Sequence, residues 1–75
     1  MKKISIITPT FNEEDNVKLM VDAIANVAKK ETNYSFEHIF IDNASTDGTV
    51  KKVKELINEN PHVGLILNYR NFGQL

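Results

Sequence analysis

Residues suited to binding a small polar ligand follow apolar segments at three places in the chain. Asp42 ends one apolar run, Arg70 follows another, and Pro9, Asn12 and Glu13 follow the first. A carboxylate such as that of Asp42 can accept hydrogen bonds from base N–H groups or ribose hydroxyls. The planar guanidinium of Arg70 can bind a carbonyl or a phosphate. These residue types predict a nucleotide-binding site.

Each of these residues also has a structural interpretation. Asp42 could cap the amides of the turn that follows it, and Pro9 could simply end a strand. Asn12 is placed to cap a helix, and Glu13 to complement the helix dipole or to reach a ribose. Arg70 could be an ordinary exposed arginine. We favour binding for Asp42 and capping for Asn12, and both interpretations stay open for the other three.

The first third of the chain predicts a strand followed by a helix. Residues 3–8 form a β-branched run that we expect to end as a strand at Pro9. Apolar residues then recur at steps of three and four, at Val17, Met20, Val21, Ile24, Val27 and Ala28. We expect Asn12 to be the N-cap, residues 13–15 to supply acids to the first turn, and the lysines at 29–30 to occupy the last.

The rest of the chain predicts a second strand and helix and a third strand. Residues 36–42 read as a strand, and the three adjacent apolar residues at 39–41 are typical of a strand covered on both faces. The turn formers at 43–48 lead into a helix with its apolar stripe at Val50, Val53, Leu56 and Ile57. This helix should end at 60–61, and residues 63–67 read as the third strand.

The predicted fold class is therefore α/β, a β-α-β-α-β unit with a parallel sheet. Right-handed crossovers place the strands in the order 3-2-1 and both helices on one face. Ligands of such sheets bind beyond the carboxyl ends of the strands, where the loops at 8–13, 42–48 and 68–73 should meet. The other sheet face and the free edge of the first strand lack cover, which predicts self-association.

Composition and charge exclude several classes of function. A net charge of −1 argues against a nucleic-acid-binding protein, and the absence of cysteine excludes thiolate metal sites. Neither of the glycine-rich phosphate loops occurs, and a calcium-like loop from Asn43 fails because Lys54 stands where a glutamate is needed. His38 and His62 lack further ligands at metal-binding spacing, so we interpret both as structural. No apolar segment is long enough for a signal peptide or a membrane span, which predicts a cytoplasmic protein.

Three segments resemble motifs of the family 2 glycosyltransferases. Residues 8–14 read Thr-Pro-Thr-Phe-Asn-Glu-Glu, residues 41–49 read Ile-Asp-Asn-Ala-Ser-Thr-Asp-Gly-Thr, and residues 69–73 read Tyr-Arg-Asn-Phe-Gly. The corresponding family patterns are Pro-x-Tyr/Phe-Asn-Glu-Glu, Asp-Asp-Gly-Ser-Thr-Asp-Gly-Thr and Arg-Asn-x-Gly. The last segment is most similar to the polyprenyl-phosphate branch, which includes enzymes like dolichol-phosphate mannose synthase. The chain departs from the family at Asn43 and Ala44, where an aspartate and a glycine are common.

The resemblance implies a partial glycosyltransferase A-type, Rossmann-like fold and an inverting transferase. The donor would be a nucleoside-diphosphate sugar, and the acceptor of the hexose a lipid phosphate or a saccharide. Residues 1–75 would be the N-terminal nucleotide-binding part of an incomplete catalytic domain. The nucleotide-binding residues carried over are Pro9, Asn12, Glu13, Asp42 and Arg70. The family's metal-holding Asp-x-Asp for Mg²⁺ or Mn²⁺ and its catalytic base would lie beyond residue 75, so this segment would hold no catalytic or metal-binding residue.

Two other classes of function remain open from the sequence. One is a non-catalytic nucleotide-binding or receiver-like α/β module, and the other is a structural unit that only assembles with itself. If the glycosyltransferase interpretation is right, the whole protein would work in the cytoplasm or at the cytoplasmic face of a membrane. The segment alone is expected to bind nucleotide weakly and to catalyse nothing.

Overall fold

The computed structural model describes residues 2–68 and confirms the predicted order of elements. The chain runs through β1 (Lys2–Thr10), α1 (Val17–Lys30), β2 (Tyr34–Asp42), α2 (Thr49–Glu59) and β3 (Val63–Leu67). Neither helix in this range is long and apolar enough to cross a bilayer.

The three strands form one parallel sheet in which β2 lies between β1 and β3. This is the predicted spatial order. The register pairs Thr10 with Asp42 and Asp42 with Leu67, so the described strands end level with one another. Because all three run in the same direction, the segments that leave their carboxyl ends meet at one edge of the sheet, which we call the rim.

The sequence predicted that β1 ends at Pro9, and this prediction is wrong. The strand continues to Thr10, and Pro9 pairs in register with Ile41. A proline is tolerated in an edge strand because its missing N–H group can fall on the unpaired side. Within residues 2–68, β1 is such an edge strand.

The prediction that Asn12 caps α1 is wrong. The cap residue is Asn16, the helix begins at Val17, and no acidic residue lies in its first turn. Asn12 instead has a φ of 52°, in the left-handed region, where asparagine is more readily accommodated than most residues. The segment 11–16, which we call loop 1, turns away from the helix axis and toward the loop that follows β2. The predicted lysines, residues 29–30, do occupy the last turn of α1.

The core lies between the sheet and the two helices. Both helices bury apolar residues against β2 and β3, which places them on the same face of the sheet. The buried apolar residues are Val17, Val21, Phe40, Val53, Leu56 and Val63. Burying a side chain of this size stabilises the fold by about 1.5–3 kcal/mol.

The opposite face of the sheet is apolar and exposed in its half nearer the rim. Side chains alternate between the two faces of a strand, so the odd-numbered residues of β1 and β2 point away from the helices. Gly64 shares this face, because a Cβ atom built on it would lie 2.9 Å from Cδ1 of Ile39. Ile7 and Ile66 are each 53% exposed. We call the surface formed by Ile7, Pro9, Ile39, Ile41 and Ile66 the bare face.

Candidate functional site

The rim is closed by backbone hydrogen bonds that tie the ends of the strands together. The amide of Asn43 donates to the carbonyl of Thr10 over 2.9 Å, and the amide of Asn68 donates to the carbonyl of Asp42 over 2.8 Å. Asn68 also donates through its side-chain Nδ2 to Oδ1 of Asn43 over 3.0 Å. The start of the segment after β3 is thereby fixed beside the segment 43–48 that follows β2, which we call loop 2.

Asp42 lies at the centre of the rim and is 1% exposed. Its Oδ1 accepts hydrogen bonds from the hydroxyls of Thr10 (2.8 Å) and Ser45 (2.6 Å). Its Oδ2 accepts one from the backbone amide of Ser45 over 2.8 Å. A carboxylate offers about four acceptor positions. Three are used by donors among residues 2–68, so one position, on Oδ2, has no donor from that part of the chain.

Asp42 therefore has the capping role that the sequence allowed, because its carboxylate accepts a hydrogen bond from the Ser45 amide of loop 2. The hydrogen bonds also hold the carboxylate in one orientation, which a binding role would need. Sequence reasoning missed the two residues that donate hydrogen bonds to it, Thr10 and Ser45. The available signals were a threonine in register with Asp42 across two parallel strands and a serine three positions after it.

Asn12 joins loop 1 to loop 2. Its side-chain Oδ1 accepts hydrogen bonds from the backbone amides of Thr46 over 2.8 Å and Asp47 over 3.3 Å. Its own amide donates to the Ser45 hydroxyl over 2.8 Å. In this left-handed conformation both the side chain and the backbone amide of Asn12 contact loop 2. The amide side chain thus caps loop 2 rather than α1.

A second set of bonds joins the end of loop 1 to the start of α2. The amide of Glu13 donates to the Thr49 hydroxyl over 2.8 Å, and the amide of Glu14 donates to Oδ2 of Asp47 over 3.3 Å. In return the amide of Gly48 donates to Oε1 of Glu14 over 3.0 Å. The two motif segments, about 35 residues apart in sequence, therefore form one connected structure at the rim.

Asp47 and Gly48 immediately precede α2, which begins at Thr49. Gly48 is the N-cap residue, and Oδ1 of Asp47 accepts a hydrogen bond from the amide of Thr49 over 2.9 Å. The Thr49 hydroxyl also donates to this carboxylate and lowers the pKa of Asp47 below its usual value, because a hydrogen bond to the charged form favours it.

The structure brings three of the five predicted binding residues to the rim. Asn12, Glu13 and Asp42 lie on adjoining segments linked by the bonds described above. Pro9 is one residue before Thr10 and so lies on the bare face, on the other side of the sheet from the Asp42 carboxylate. Arg70 lies outside the described residues.

Ala44 has a φ of 57°, also in the left-handed region. This is the position where the resemblance leads one to expect glycine. An L-residue with a Cβ atom pays about 1–2 kcal/mol for this conformation. Two left-handed non-glycine residues, Asn12 and Ala44, thus lie on the two loops of the rim, where backbone strain often accompanies a functional site.

Residues 2–68 contain no group of three or more acidic or histidine side chains that could hold a metal ion. The Asp42 carboxylate is already committed to three protein donors, and the nearby Asp47 carboxylate faces Thr49 and Glu14 amides. The described residues thus do not fit a divalent ion.

A surface cleft lies elsewhere, beside α1 and the start of α2. It measures about 500 Å³, and its walls carry both charge signs; they are formed by Glu14, Asp15, Lys18, Leu19, Asp22 and Lys52. Lys18 and Asp22 are paired with each other at 2.8 Å. The charges around this open groove largely balance, whereas the rim holds the predicted binding residues Asn12, Glu13 and Asp42, so the rim is the better candidate site.

Comparison with known proteins agrees with the geometry of the rim. Residues 5–75 match the family model described as Glycosyl transferase family 2. The chain belongs to this glycosyltransferase family. The parallel α/β unit with joined motif loops is consistent with a partial glycosyltransferase A-type, Rossmann-like fold, as the sequence motifs had implied.

Curated relatives of this family-2 chain carry transferase names. The protein named "Putative glycosyltransferase CsbB" of Bacillus subtilis (strain 168) is 38% identical over 71 residues, which are 95% of this chain and 21% of that protein. The undecaprenyl-phosphate 4-deoxy-4-formamido-L-arabinose transferases of Proteus mirabilis (strain HI4320) and Yersinia pestis (strain Pestoides F) are both 31% identical over 75 residues, 99% of this chain and 23% of theirs. The chain thus spans about a fifth to a quarter of the length of these relatives. No solved structure matches it significantly.

Proposed function

We propose that this chain forms the nucleoside-binding part of an inverting glycosyltransferase that uses a nucleoside-diphosphate sugar. The observation that carries the proposal is the Asp42 carboxylate, held at the rim by three protein donors with one acceptor position still open. A buried carboxylate in a fixed orientation favours a ligand N–H or O–H donor at that position over water, because no reorganisation is needed on binding.

In this proposal the residues of the rim bind and orient, and none of them performs the transfer. Asp42 receives the donor group of the nucleoside, while loops 1 and 2 form the wall on either side. Asn12 acts through the loops, because its side-chain oxygen is used by two backbone amides. Glu13 retains a carboxylate that contacts only Asn16 among the described residues, at 3.2 Å, and it could reach a ribose hydroxyl. Pro9 and Arg70 remain proposed parts of the nucleotide site.

For the whole protein we propose transfer of a hexose to a lipid phosphate or a saccharide. Support comes from the family and from two relatives named as undecaprenyl-phosphate transferases. A lipid-phosphate acceptor would place the protein at the cytoplasmic face of a membrane, and a soluble acceptor in the cytoplasm. Mg²⁺ or Mn²⁺ belongs to the proposal for the whole protein, with ligands beyond residue 75, where it would neutralise the departing diphosphate.

We also propose that the chain associates with itself through the bare face. Ile7 and Ile66 present a contiguous apolar surface together with the partly exposed Ile39 and Ile41. Parallel sheets with strands of this composition are normally covered on both faces. The free edge of β1 offers a second place for addition of another chain.

The receiver-like alternative is weakened by the family match, which covers residues 5–75 and is to a glycosyltransferase family.

Calorimetric titration of the chain with UDP and GDP, with and without Mn²⁺, tests the nucleotide site. We expect one nucleotide to bind with a dissociation constant on the order of 1 mM, because only part of a site is present. Inorganic pyrophosphate should bind at least about tenfold more weakly, since it lacks the nucleoside. Addition of Mn²⁺ should change little, because the described residues do not hold a metal cluster.

A matched pair of variants makes this test specific. Asp42→Asn should abolish nucleotide binding, whereas Asp15→Asn, which removes the same charge from an exposed position on loop 1, should leave it unchanged. No binding of either nucleotide at about 10 mM, or equal binding of pyrophosphate, would refute the proposed site. Transfer of labelled sugar by this chain alone would contradict the division of roles.

A further inference from the structure

We propose that Ser45 is a positioning residue that orients the Asp42 carboxylate toward the ligand and ties that orientation to loop 1. This inference rests on the proposed nucleotide-binding role of Asp42. It adds to that role a residue that acts without touching the ligand.

Ser45 makes three hydrogen bonds that together determine how the carboxylate is turned. Its hydroxyl donates to Oδ1 of Asp42 over 2.6 Å, and its backbone amide donates to Oδ2 over 2.8 Å. One residue therefore holds both oxygens of the carboxylate. Rotation about the bond that carries the carboxylate would break at least one of the two contacts.

The direction of the Ser45 hydroxyl is itself determined by loop 1. The amide of Asn12 donates to the hydroxyl oxygen over 2.8 Å. A hydroxyl has one proton to donate, and an amide cannot accept it, so the proton of Ser45 is directed to Asp42. The bonds form a series from the Asn12 amide through the Ser45 hydroxyl to Oδ1 of Asp42, and Thr10 completes the set on the same oxygen.

This arrangement defines what the ligand must supply. From the described part of the chain, Oδ1 accepts two hydroxyl donors and Oδ2 accepts one amide, which leaves one acceptor position on Oδ2 without a donor from residues 2–68. The site therefore selects a nucleotide that presents a single N–H or O–H donor. A diphosphate without a nucleoside has no base N–H or ribose O–H, and its negative charge is repelled by the Asp42 carboxylate, so it gains nothing from the orientation of Asp42.

Other hydrogen bonds between the loops make it possible to distinguish this role from a purely structural one. Without the Ser45 hydroxyl, loops 1 and 2 would still be joined through Oδ1 of Asn12, the amides of Glu13 and Glu14 and the amide of Gly48. Loss of the hydroxyl should therefore release the carboxylate and leave the loops together.

The experiment compares Ser45→Ala, Ser45→Thr and a control, Thr46→Ala. The control deletes a neighbouring hydroxyl that is 3.4 Å from Oδ1 of Asn12, a long contact, and that does not donate to Asp42. Affinities for UDP, GDP and inorganic pyrophosphate are measured by calorimetry. For the nucleotide that the unchanged chain binds, we expect Ser45→Ala to weaken binding about tenfold and leave pyrophosphate binding unchanged. Ser45→Thr should restore binding to within about threefold, and Thr46→Ala should change it less than about twofold.

Three results would overturn the inference. They are an unchanged nucleotide affinity in Ser45→Ala, an equal loss for nucleotide and pyrophosphate, or an equal loss in Thr46→Ala. The last two would indicate a general loosening of the rim rather than control of Asp42.

A measurement without ligand distinguishes failure of this inference from failure of the proposed function. Amide hydrogen exchange should become about tenfold faster at Asn12 in Ser45→Ala, while Thr46 and Asp47 keep their protection because Asn12 still accepts from them. If the unchanged chain binds no nucleotide, the proposed function fails. The exchange result then decides the orienting role alone: faster exchange at Asn12 and at the amide of position 45, which donates to Oδ2 of Asp42, supports it, and unchanged exchange at position 45 refutes it.

Discussion

The rim and the bare face both hold residues in environments that are unusual for their type. Among the described residues, the buried polar groups of the rim find hydrogen-bond partners, whereas the exposed apolar side chains of the bare face find no covering layer. At the rim, Thr10, Asp42 and Thr49 are polar and almost completely buried. On the bare face, Ile7 and Ile66 are apolar and half exposed. Every buried oxygen named at the rim has a hydrogen-bond partner, whereas the exposed isoleucines have no cover in residues 2–68.

The difference shows that a small unit can satisfy a buried polar group by itself but cannot by itself cover an exposed apolar face. A buried polar group needs only one or two partners, and loops at neighbouring strand ends can supply them. An exposed apolar face needs a whole layer, and about 25 cal/mol per Å² is lost while that layer is absent. His38 is intermediate, because Nε2 lies 2.9 Å from the Thr8 hydroxyl while its buried Nδ1 has no partner among the described residues.

The most severe way to break the rim is Asp42→Asn. The amide that replaces one carboxylate oxygen would face a donor from Thr10 or Ser45, leaving two donors opposed and unsatisfied. We expect the free energy of unfolding to fall by about 2–3 kcal/mol in urea titrations. Asp15→Asn, an exposed change of the same kind, should stay within about 0.5 kcal/mol. Similar losses in the two variants would mean that the bonds to Asp42 contribute little.

The bare face is tested by Ile66→Lys. A charged side chain on this face should weaken self-association at least about tenfold in sedimentation equilibrium, because each copy would bury an unpaired ammonium group. The free energy of unfolding should change by less than about 1 kcal/mol, since the side chain is already half exposed. Leu19→Lys is the matched control, as Leu19 is 66% exposed on α1. A monomeric unchanged chain at tens of micromolar, or equal effects of the two lysines, would rule out the bare face as the interface.

His38 sharpens the comparison through pH. Burial lowers the pKa of His38 below its ordinary value of 6.5, and the nearby His62 lowers the pKa further. The titratable groups of α1 and α2 lie outside the buried core, so no acid compensates the charge. The unfolded chain therefore binds a proton that the folded chain resists. Stability is fully present above pH 6.5 and is lost as the pH falls through the folded-state pKa.

Urea titrations between about pH 7.5 and pH 5 measure this effect. His38→Gln should flatten the pH dependence, because the neutral amide can keep the contact with Thr8 and does not titrate. His62→Gln should remove a smaller part, since burial is the larger cause of the lowered pKa of His38. If the free energy of unfolding of His38→Gln fell with pH as steeply as that of the unchanged chain, groups other than His38 would cause the loss of stability at low pH.

The smallest effect is expected from Ala44→Gly at the rim. Glycine adopts a φ of 57° without steric cost, but it also increases the entropy of the unfolded chain. We expect a net stabilisation of about 0.5 kcal/mol in the free energy of unfolding. Ala23→Gly on the exposed side of α1 should instead destabilise by about 1 kcal/mol, because its φ is helical. The same sign for both variants would contradict the strain inferred at Ala44.

Much of the fold was predictable because its signals are local. The apolar stripes of α1 and α2 and the β-branched runs of the strands repeat within a few residues, and the handedness of crossovers then determines the strand order. The position of Asp42 at the rim was predictable for the same reason, because it is an acid at the end of an apolar strand. The resemblance to the glycosyltransferase family was carried by three short segments and was confirmed by the match over residues 5–75.

The structure decided the roles of residues whose partners are distant in sequence. Asn12 has the residue type of a helix cap, but its oxygen is taken by amides 34 and 35 positions later. Ser45 looked like one more turn residue until loop 1 was seen to direct its hydroxyl to Asp42. Pro9 resembled a strand end until its position at an edge was known. Periodicity and residue type thus determined which elements form, whereas long-range hydrogen bonds, which no local pattern encodes, decided what the polar residues between them do.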